Sequence, residues 1–363
     1  MTRSFGIDLV RTFAIIIVIF RHCGFLPGFN FGTYAIEFLF VVSGYLIGQI
    51  LIKDFYSTQF VETSSVKRFM MRRWFRILPL YYFAIIVKFI FHPDVGANII
   101  YYVFFLQNHF YGISFFPETW SLVIDEWFYL GTPILLYLFM RFVSSKSFQV
   151  LLYFIGIIVV INILRFYWVS RTNLPWDALN GNIVLHQDTL LIGVILAFVK
   201  RKFSDLFSKF NSVKYFLVST VFFIAHTFFI RSIRYPVDMI DDYFWVKVLD
   251  FSGCAFIIIT MMPYIENSVM PLQNKNFKWF NKFIVWGSKL SYALYLAHNM
   301  AHELAVFILS PITNNQIITG IFAIGLSIFA SHLMYQYIEK YFLILRDRYY
   351  PDRPELNVNL NKS

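Results

Sequence analysis

Ten runs of roughly 20 predominantly apolar residues succeed one another along this chain, each long enough to cross a bilayer as a helix. Inside lipid every backbone N–H and C=O needs a partner within the protein, so a span without strand-like alternation has to be helical. The runs fall at about 5–24, 32–52, 76–92, 119–140, 148–167, 185–199, 214–230, 243–263, 286–309 and 315–343. A shorter apolar piece, Asn98–Leu106, cannot span and is expected to be interfacial or re-entrant. The expected fold is an all-α integral membrane protein, a bundle of about ten transmembrane helices. Composition agrees, because only 14% of residues are charged, against about 25% in soluble domains. Cys23 and Cys254 both lie in apolar context, which argues against a disulfide framework or a cysteine metal site. The first run contains Asp8, Arg11 and Arg21 and lacks a small-residue cleavage motif, so it reads as a retained helix.

The basic residues orient the bundle. If the N-terminus is cytoplasmic, 23 of the 31 Lys and Arg residues fall in cytoplasmic segments, from Arg3 through Lys53, Lys146, Lys200 and Lys275 to Arg353 and Lys362. Four, Arg165, Arg171, Arg231 and Arg234, are assigned to the outside. This asymmetry puts both termini in the cytoplasm and accounts for the net charge of +10 without a nucleic acid partner. Residues 1–345 are expected to form one transmembrane domain and 346–363 a short cytoplasmic tail, with no appended soluble domain.

Ionisable groups inside spans are costly unless they face a partner or a wet interior, so they mark candidate sites. In the first span Arg11 and His22 are eleven positions apart, which leaves them about 20° apart in azimuth and roughly 16 Å apart along the axis. Asp8 lies within about 60° of Arg11, so the three form one stripe; the competing reading is a structural Asp–Arg pair with a satisfied histidine. Glu37 enters the second span from the outside at the depth of His22, where a carboxylate could orient a histidine as a general base. In the fourth span Ser121, Asp125 and Tyr129 repeat every four residues, with Glu126 beside them, and at least one acid is expected in the same cavity as His22. Gly44 and Gly48 suit close helix packing. At the inner membrane face Arg72, Arg73 and Arg76 form a cluster suited to phosphates, although topology alone also predicts basic residues there. The ninth span aligns Tyr292, Tyr295, His298 and His302; the two histidines lack a third ligand, so no metal site is assigned. Glu339 reads as a boundary residue, and His92, His109, His226 and His332 as interfacial or satisfied histidines.

These segments, in this order, resemble the acyltransferase-3 family of bacterial membrane acyltransferases. The resemblance runs over about residues 5 to 345: an arginine, ten residues and a histidine at Arg11 and His22, then EFLFVVSGYLI, RRWFRILP, TWSLVIDEWFYL, HQDTLLIG, GSKLSYALYLAH and a closing S-x3-Y-x2-I-E. It implies acyl transfer, commonly of acetyl, from cytoplasmic acyl-CoA to a hydroxyl of an envelope carbohydrate, by a multi-pass protein of the bacterial inner membrane. Acyl-CoA is then donor substrate rather than bound cofactor. The acceptor would be an envelope polysaccharide such as lipopolysaccharide O-antigen, or a lipid-linked sugar, with lipid around the bundle. The resemblance maps the family's histidine and arginine onto His22 and Arg11, its basic segment onto Arg73 and Arg76, and its second acid onto Glu126. The departures are Glu37 for a common Asp, Asp125 for a common Glu, Tyr341 for a common Pro, and His186 for an arginine often found shortly before Asp188.

The resulting expectation is that Arg72, Arg73, Arg76 and Arg11 handle the donor. His22, oriented by Glu37 or Glu126, then deprotonates the acceptor or is itself acylated, and Tyr129 or Ser121 stabilises the oxyanion or relays the acyl group. Asp8, Asp125, Asp188, Tyr292, Tyr295 and His298 support them. A polytopic transporter of a small polar or anionic solute would also bury such groups, but it should show broken helices or inverted repeats, and neither is clear here. A nonenzymatic scaffold would not need the His22 face. Oligomeric state is left open.

Overall fold

The computed structural model describes residues 4–25, 31–56, 63–109, 115–143, 147–235, 237–268 and 277–351. Arg3, Lys146, Lys275, Arg353 and Lys362 of the charge pattern lie outside the described residues. The helices are α1 (Phe5–His22), α2 (Phe31–Tyr56), α3 (Thr63–Phe91), α4 (Ile99–Val103), α5 (Trp120–Phe142), α6 (Ser147–Thr172) and α7 (Trp176–Asn180). They continue with α8 (Asp188–Lys202), α9 (Ser204–Phe210), α10 (Val213–Arg234), α11 (Phe244–Asn267), α12 (Lys278–Leu309), α13 (Gln316–Met334) and α14 (Lys340–Tyr349). A π-helical turn, Tyr335–Glu339, joins α13 to α14.

A helix lies at each of the ten expected positions, and among the described residues 7 stretches are long and apolar enough to cross a membrane, within α2, α3, α5, α6, α10, α11 and the run from α13 to α14. Of the helices at expected positions, α1, α8 and α12 fall outside that set. The first carries Asp8, Arg11 and Arg21 in 18 residues, and α8 has only 15 residues. At 1.5 Å per residue α8 would cover roughly 22 Å of a hydrocarbon core about 30 Å thick. Aromatic and branched side chains such as Phe89, Val160, Phe222 and Phe329 are exposed on the outer helices, as a lipid-facing surface requires.

At the end of the bundle that carries Phe5, here the inner end, Ser4 Oγ donates to the Glu266 carbonyl at 2.9 Å and Lys200 pairs with Glu266 at 2.6 Å. These contacts tie the start of α1 to the C-terminal ends of α8 and α11. The opposite, outer end joins α3 to α12 through Lys88 and Glu303 at 2.5 Å. At the centre α2 and α8 interlock through glycine. A Cβ at Gly44 would stand 1.9 Å from the Leu190 carbonyl oxygen, and one at Gly193 would stand 2.3 Å from that of Val41.

Between α7 and α8 the chain is non-helical yet buried at Ile183, Leu185 and His186. Such backbone is tolerated within a membrane only when the protein satisfies it. Asn182 Oδ1 accepts from the Val184 and Leu185 amides, each at 2.9 Å, and Asn108 donates to the Gly181 carbonyl at 2.8 Å. Arg165 donates to the Leu185 and Val248 carbonyls and pairs with Asp188 at 2.8 Å. Arg165 is therefore not an outer-loop charge; it is fully buried within α6 and supplies a cation against α8. The break is of the kind expected of transporters, but none of residues 181–187 lines a cavity described below.

Candidate functional site

Cavities lie one after another along α1. The inner one, about 410 Å³, is charged: Arg11, Arg76, Lys289 and Arg346 face Asp8, Glu266 and Glu339. Within its wall Ser288 Oγ donates to Asp8 at 2.6 Å, and Arg11 donates to Ser291 Oγ at 2.9 Å. The central cavity, about 160 Å³, shares Arg11 and Arg76 with the inner one. It adds Arg73 from α3, and Ser121, Asp125, Glu126 and Tyr129 from α5, with Tyr292 and Tyr295 from α12. The guanidinium carbon of Arg73 stands 3.9 Å from the centroid of the Tyr129 ring, and the Tyr129 hydroxyl is 2.5 Å from Ser43 Oγ. Arg73 Nε, Asp125 Oδ1 and Glu126 Oε1 are buried with no hydrogen-bond partner among the described residues. Buried polar atoms left in this state around a cavity call for water or a polar ligand.

His22 is exposed and opens into a third cavity of about 370 Å³ at the outer end, together with Cys23, Gly24 and His302. No lining residue is common to this cavity and the central one. The fully buried His298 stands between them, its ring centroid 5.0 Å from that of His22 and 5.7 Å from that of Tyr295. Its Nδ1 lies 2.7 Å from the Tyr295 carbonyl, and Tyr295 Oη is 2.7 Å from Ser121 Oγ.

The fold thus brings Arg11, Arg73, Arg76, Ser121, Asp125, Glu126, Tyr129, Tyr292 and Tyr295 to one cavity, with Asp8 below and His22 above. Other expected neighbours do not meet. Glu37 does not face His22; its carboxylate lies 2.8 Å from His186 and accepts from Thr189 at 2.9 Å, because the face of α2 that carries it packs on α8. Asp125 and Glu126 line the central cavity rather than the His22 cavity. Arg72 lies apart from Arg73 and Arg76: it is drawn to α14, where it pairs with Asp347 at 3.3 Å and donates to the Tyr350 carbonyl. Asp188 serves Arg165 and Ser252 inside the bundle.

Sequence reading missed Lys289 and Arg346, which are inner-cavity cations, and Glu339, which is buried there rather than a boundary residue. Glu339 did carry a signal, as the last residue of the closing S-x3-Y-x2-I-E, but the π-helical turn that holds it shifts the α13–α14 face by one residue. His226 Nε2 is 2.8 Å from Asp250, which also accepts from Tyr34 at 3.1 Å and from Trp176 at 3.0 Å, while His226 Nδ1 is buried with no hydrogen-bond partner among the described residues.

A family model described as an acyltransferase domain matches residues 4–336. The chain is 26% identical over 358 residues to the peptidoglycan O-acetyltransferase OatA of Listeria monocytogenes, a match covering 92% of this chain and 55% of the relative. It is 28% identical over 359 residues to a putative O-acetyltransferase of Staphylococcus aureus strain COL, covering 92% of this chain and 56% of the relative. It is also 27% identical over 370 residues to the O-acetyltransferase OatA of Staphylococcus aureus strain NCTC 8325, with the same coverage of 92% and 56%. The chain spans about half the length of the curated relatives it matches. No solved structure matches it.

Proposed function

Because the chain belongs to the acyltransferase-3 family, we propose that it is a multi-pass enzyme of the bacterial inner membrane that transfers acetyl from cytoplasmic acetyl-CoA to a hydroxyl of an envelope carbohydrate. The observation that carries this reading is the order of the cavities along α1. A charged inner cavity passes through shared Arg11 and Arg76 into a central polar one, and a cavity without fixed charge among its described lining holds His22 at the far end. A donor with phosphates at one end and a thioester at the other matches that gradient, since arginine forks suit phosphate and an exposed imidazole suits proton transfer. Both termini lie on the donor side, as the basic residues favour.

In this scheme Arg11, Arg76, Lys289 and Arg346 hold the donor phosphates, and the extended arm passes Arg73 and Tyr129 toward His22. The roughly 16 Å between Arg11 and His22 requires such an elongated donor. The acceptor oxygen attacks the thioester carbonyl carbon while His22 removes the hydroxyl proton. The C–S bond then breaks, the proton passes to the departing thiolate, and acetyl ester and free thiol result. Tyr295 and His298 position the His22 ring. One relative is named for peptidoglycan, so a peptidoglycan-type glycan is the first acceptor to test and lipopolysaccharide O-antigen the next.

The test is mass spectrometry of envelope glycans from cells carrying the wild-type chain or His22→Ala. The acetyl mass increment is expected to disappear in the variant while the protein remains folded and inserted. Acetylation at the wild-type level by folded His22→Ala protein would overturn the reading.

A further inference from the structure

We propose that the outer cavity is the acceptor subsite and selects a neutral, hydroxyl-rich glycan, with the amide side chains of Asn314 and Gln316 as its specificity-determining groups. This rests on the transfer reading above and adds to it the chemistry of the second substrate.

The two large cavities have opposite character. The inner one is lined by four cations and three carboxylates. Among the described residues lining the outer one, none is Asp, Glu, Lys or Arg; Ser310, Thr313, Asn314, Gln316 and Thr319 line it together with His22 and His302. An anionic ligand would call for an arginine or lysine, whose fork or point charge meets a carboxylate or phosphate. A hydroxyl is both donor and acceptor, and so is an amide, so Asn and Gln can pair with a sugar in either sense without desolvating a charge. The volume of about 370 Å³ lies within the range of roughly 300–1,000 Å³ typical of small-ligand sites.

The wall is also preorganised. Asn315 is committed to capping α13, its Oδ1 accepting from the Ile317 amide at 2.9 Å, and Thr313 Oγ1 accepts from the Asn315 amide at 3.1 Å. These bonds fix the turn and leave the neighbouring side chains of Asn314 and Gln316 on the cavity. A Cβ at Gly320 would stand 2.7 Å from the Cys23 carbonyl oxygen, so the start of α13 is pressed against the end of α1. The amides and His22 therefore sit on adjoining, mutually braced walls, which lowers the ordering cost of binding. A sugar held by the amides presents a hydroxyl to an imidazole already at the cavity edge.

The test uses the full-length protein in detergent. Binding of a neutral N-acetylglucosamine tetrasaccharide, and of a glucuronic acid tetrasaccharide of equal length, is measured calorimetrically without donor. Wild type should bind the neutral probe and not the anionic one, and Asn314→Ala/Gln316→Ala should weaken neutral binding and raise the acceptor KM at least about tenfold through two lost hydrogen bonds. The donor KM and kcat should stay near wild type. If the double alanine variant does not fold, the near-isosteric Asn314→Asp and Gln316→Glu provide the same comparison, with the same direction expected. No binding of the neutral probe by wild type, equal binding of the anionic one, or an unchanged acceptor KM would each overturn the proposal. Neutral binding that depends on the amides, combined with no acetyl transfer from acetyl-CoA to any glycan, would overturn the transfer reading alone.

Discussion

Replacing Gly44 by alanine measures how closely the central helices must approach to hold the site. A Cβ there would lie 1.9 Å from the carbonyl oxygen, 2.7 Å from the carbonyl carbon and 3.0 Å from the Cα of Leu190. All three are backbone atoms of α8, so no side-chain rotation can relieve the clash. Ordinary contact begins at 3.4 Å, and α2 and α8 would have to part locally by about 1.5 Å. Gly193 makes the same close approach from the other side: a Cβ there would stand 2.3 Å from Val41 O and 2.7 Å from Tyr45 N. Overpacking of this kind costs about 1–3 kcal/mol. The separation also strains the Thr189–Glu37 bond at 2.9 Å and the Ser43–Tyr129 bond at 2.5 Å, each worth about 0.5–1.5 kcal/mol. A total near 3 kcal/mol is expected, read as a lowered unfolding midpoint of detergent-solubilised protein at one fixed scan rate, with a parallel fall in kcat as Tyr129 loses its register. Gly156→Ala in α6 is the control: nothing lies within 4 Å of the added Cβ, so it should be neutral or stabilising by about 0.5–1 kcal/mol. A Gly44→Ala protein with wild-type midpoint and activity would refute the close approach.

Arg165→Met should lower stability by about 3–5 kcal/mol, because it strands the buried Asp188 carboxylate and the carbonyls of Leu185 and Val248; thermal unfolding reads it, and an unchanged midpoint would argue against the network. Glu37→Gln keeps the shape but removes the charge facing His186, so a loss of about 1–3 kcal/mol is expected with no movement of the pH profile of kcat. A moved profile would return Glu37 to the side of His22. Arg76→Ala should raise the donor KM about 10- to 100-fold with a small change in kcat, since a charge-assisted phosphate contact is worth about 1.5–3 kcal/mol; steady-state kinetics with varied acetyl-CoA would detect a kcat defect instead.

The helices were legible in the sequence because lipid enforces them, but not the height of every polar group: Asp125 and Glu126 line the central cavity rather than that of His22, and Arg165 is buried within α6. What a single span does not encode is which neighbour lies against each of its faces. Glu37 and His22 were assigned to the same depth, but α2 turns Glu37 toward α8 and His186, so an expected common depth did not predict contact. Arg72 is a different case: the 100° step sets it about 40° from Arg76, on one face, and only its tertiary partners Asp347 and Tyr350 draw it away from the cavity. The α7–α8 break was hidden because Leu190–Phe198 continues an apolar run on from it, and only the tertiary partners Asn182, Asn108 and Arg165 make the irregular backbone tolerable. The cation beside Asp188 is Arg165 of α6, and no local pattern reports a partner supplied by another helix.

The stripe on α1 is also interrupted. Arg11 and His22 share a face, but Val18 and Ile19 between them are buried apolar residues, and the cavities at the two ends have no lining residue in common. An unbroken polar groove from Asp8 to His22 would admit a file of water and let protons cross with it. The apolar segment removes that path along α1 and leaves Tyr295 and His298 as the polar groups between the central cavity and His22. A thin acyl-bearing arm could fill an apolar constriction that water does not wet, with its thioester leading and its amides following. On the proposed transfer reading, spacing the arginine and histidine three turns apart would do more than measure the donor: it leaves room on the same helix for the seal that a group crossing a membrane requires.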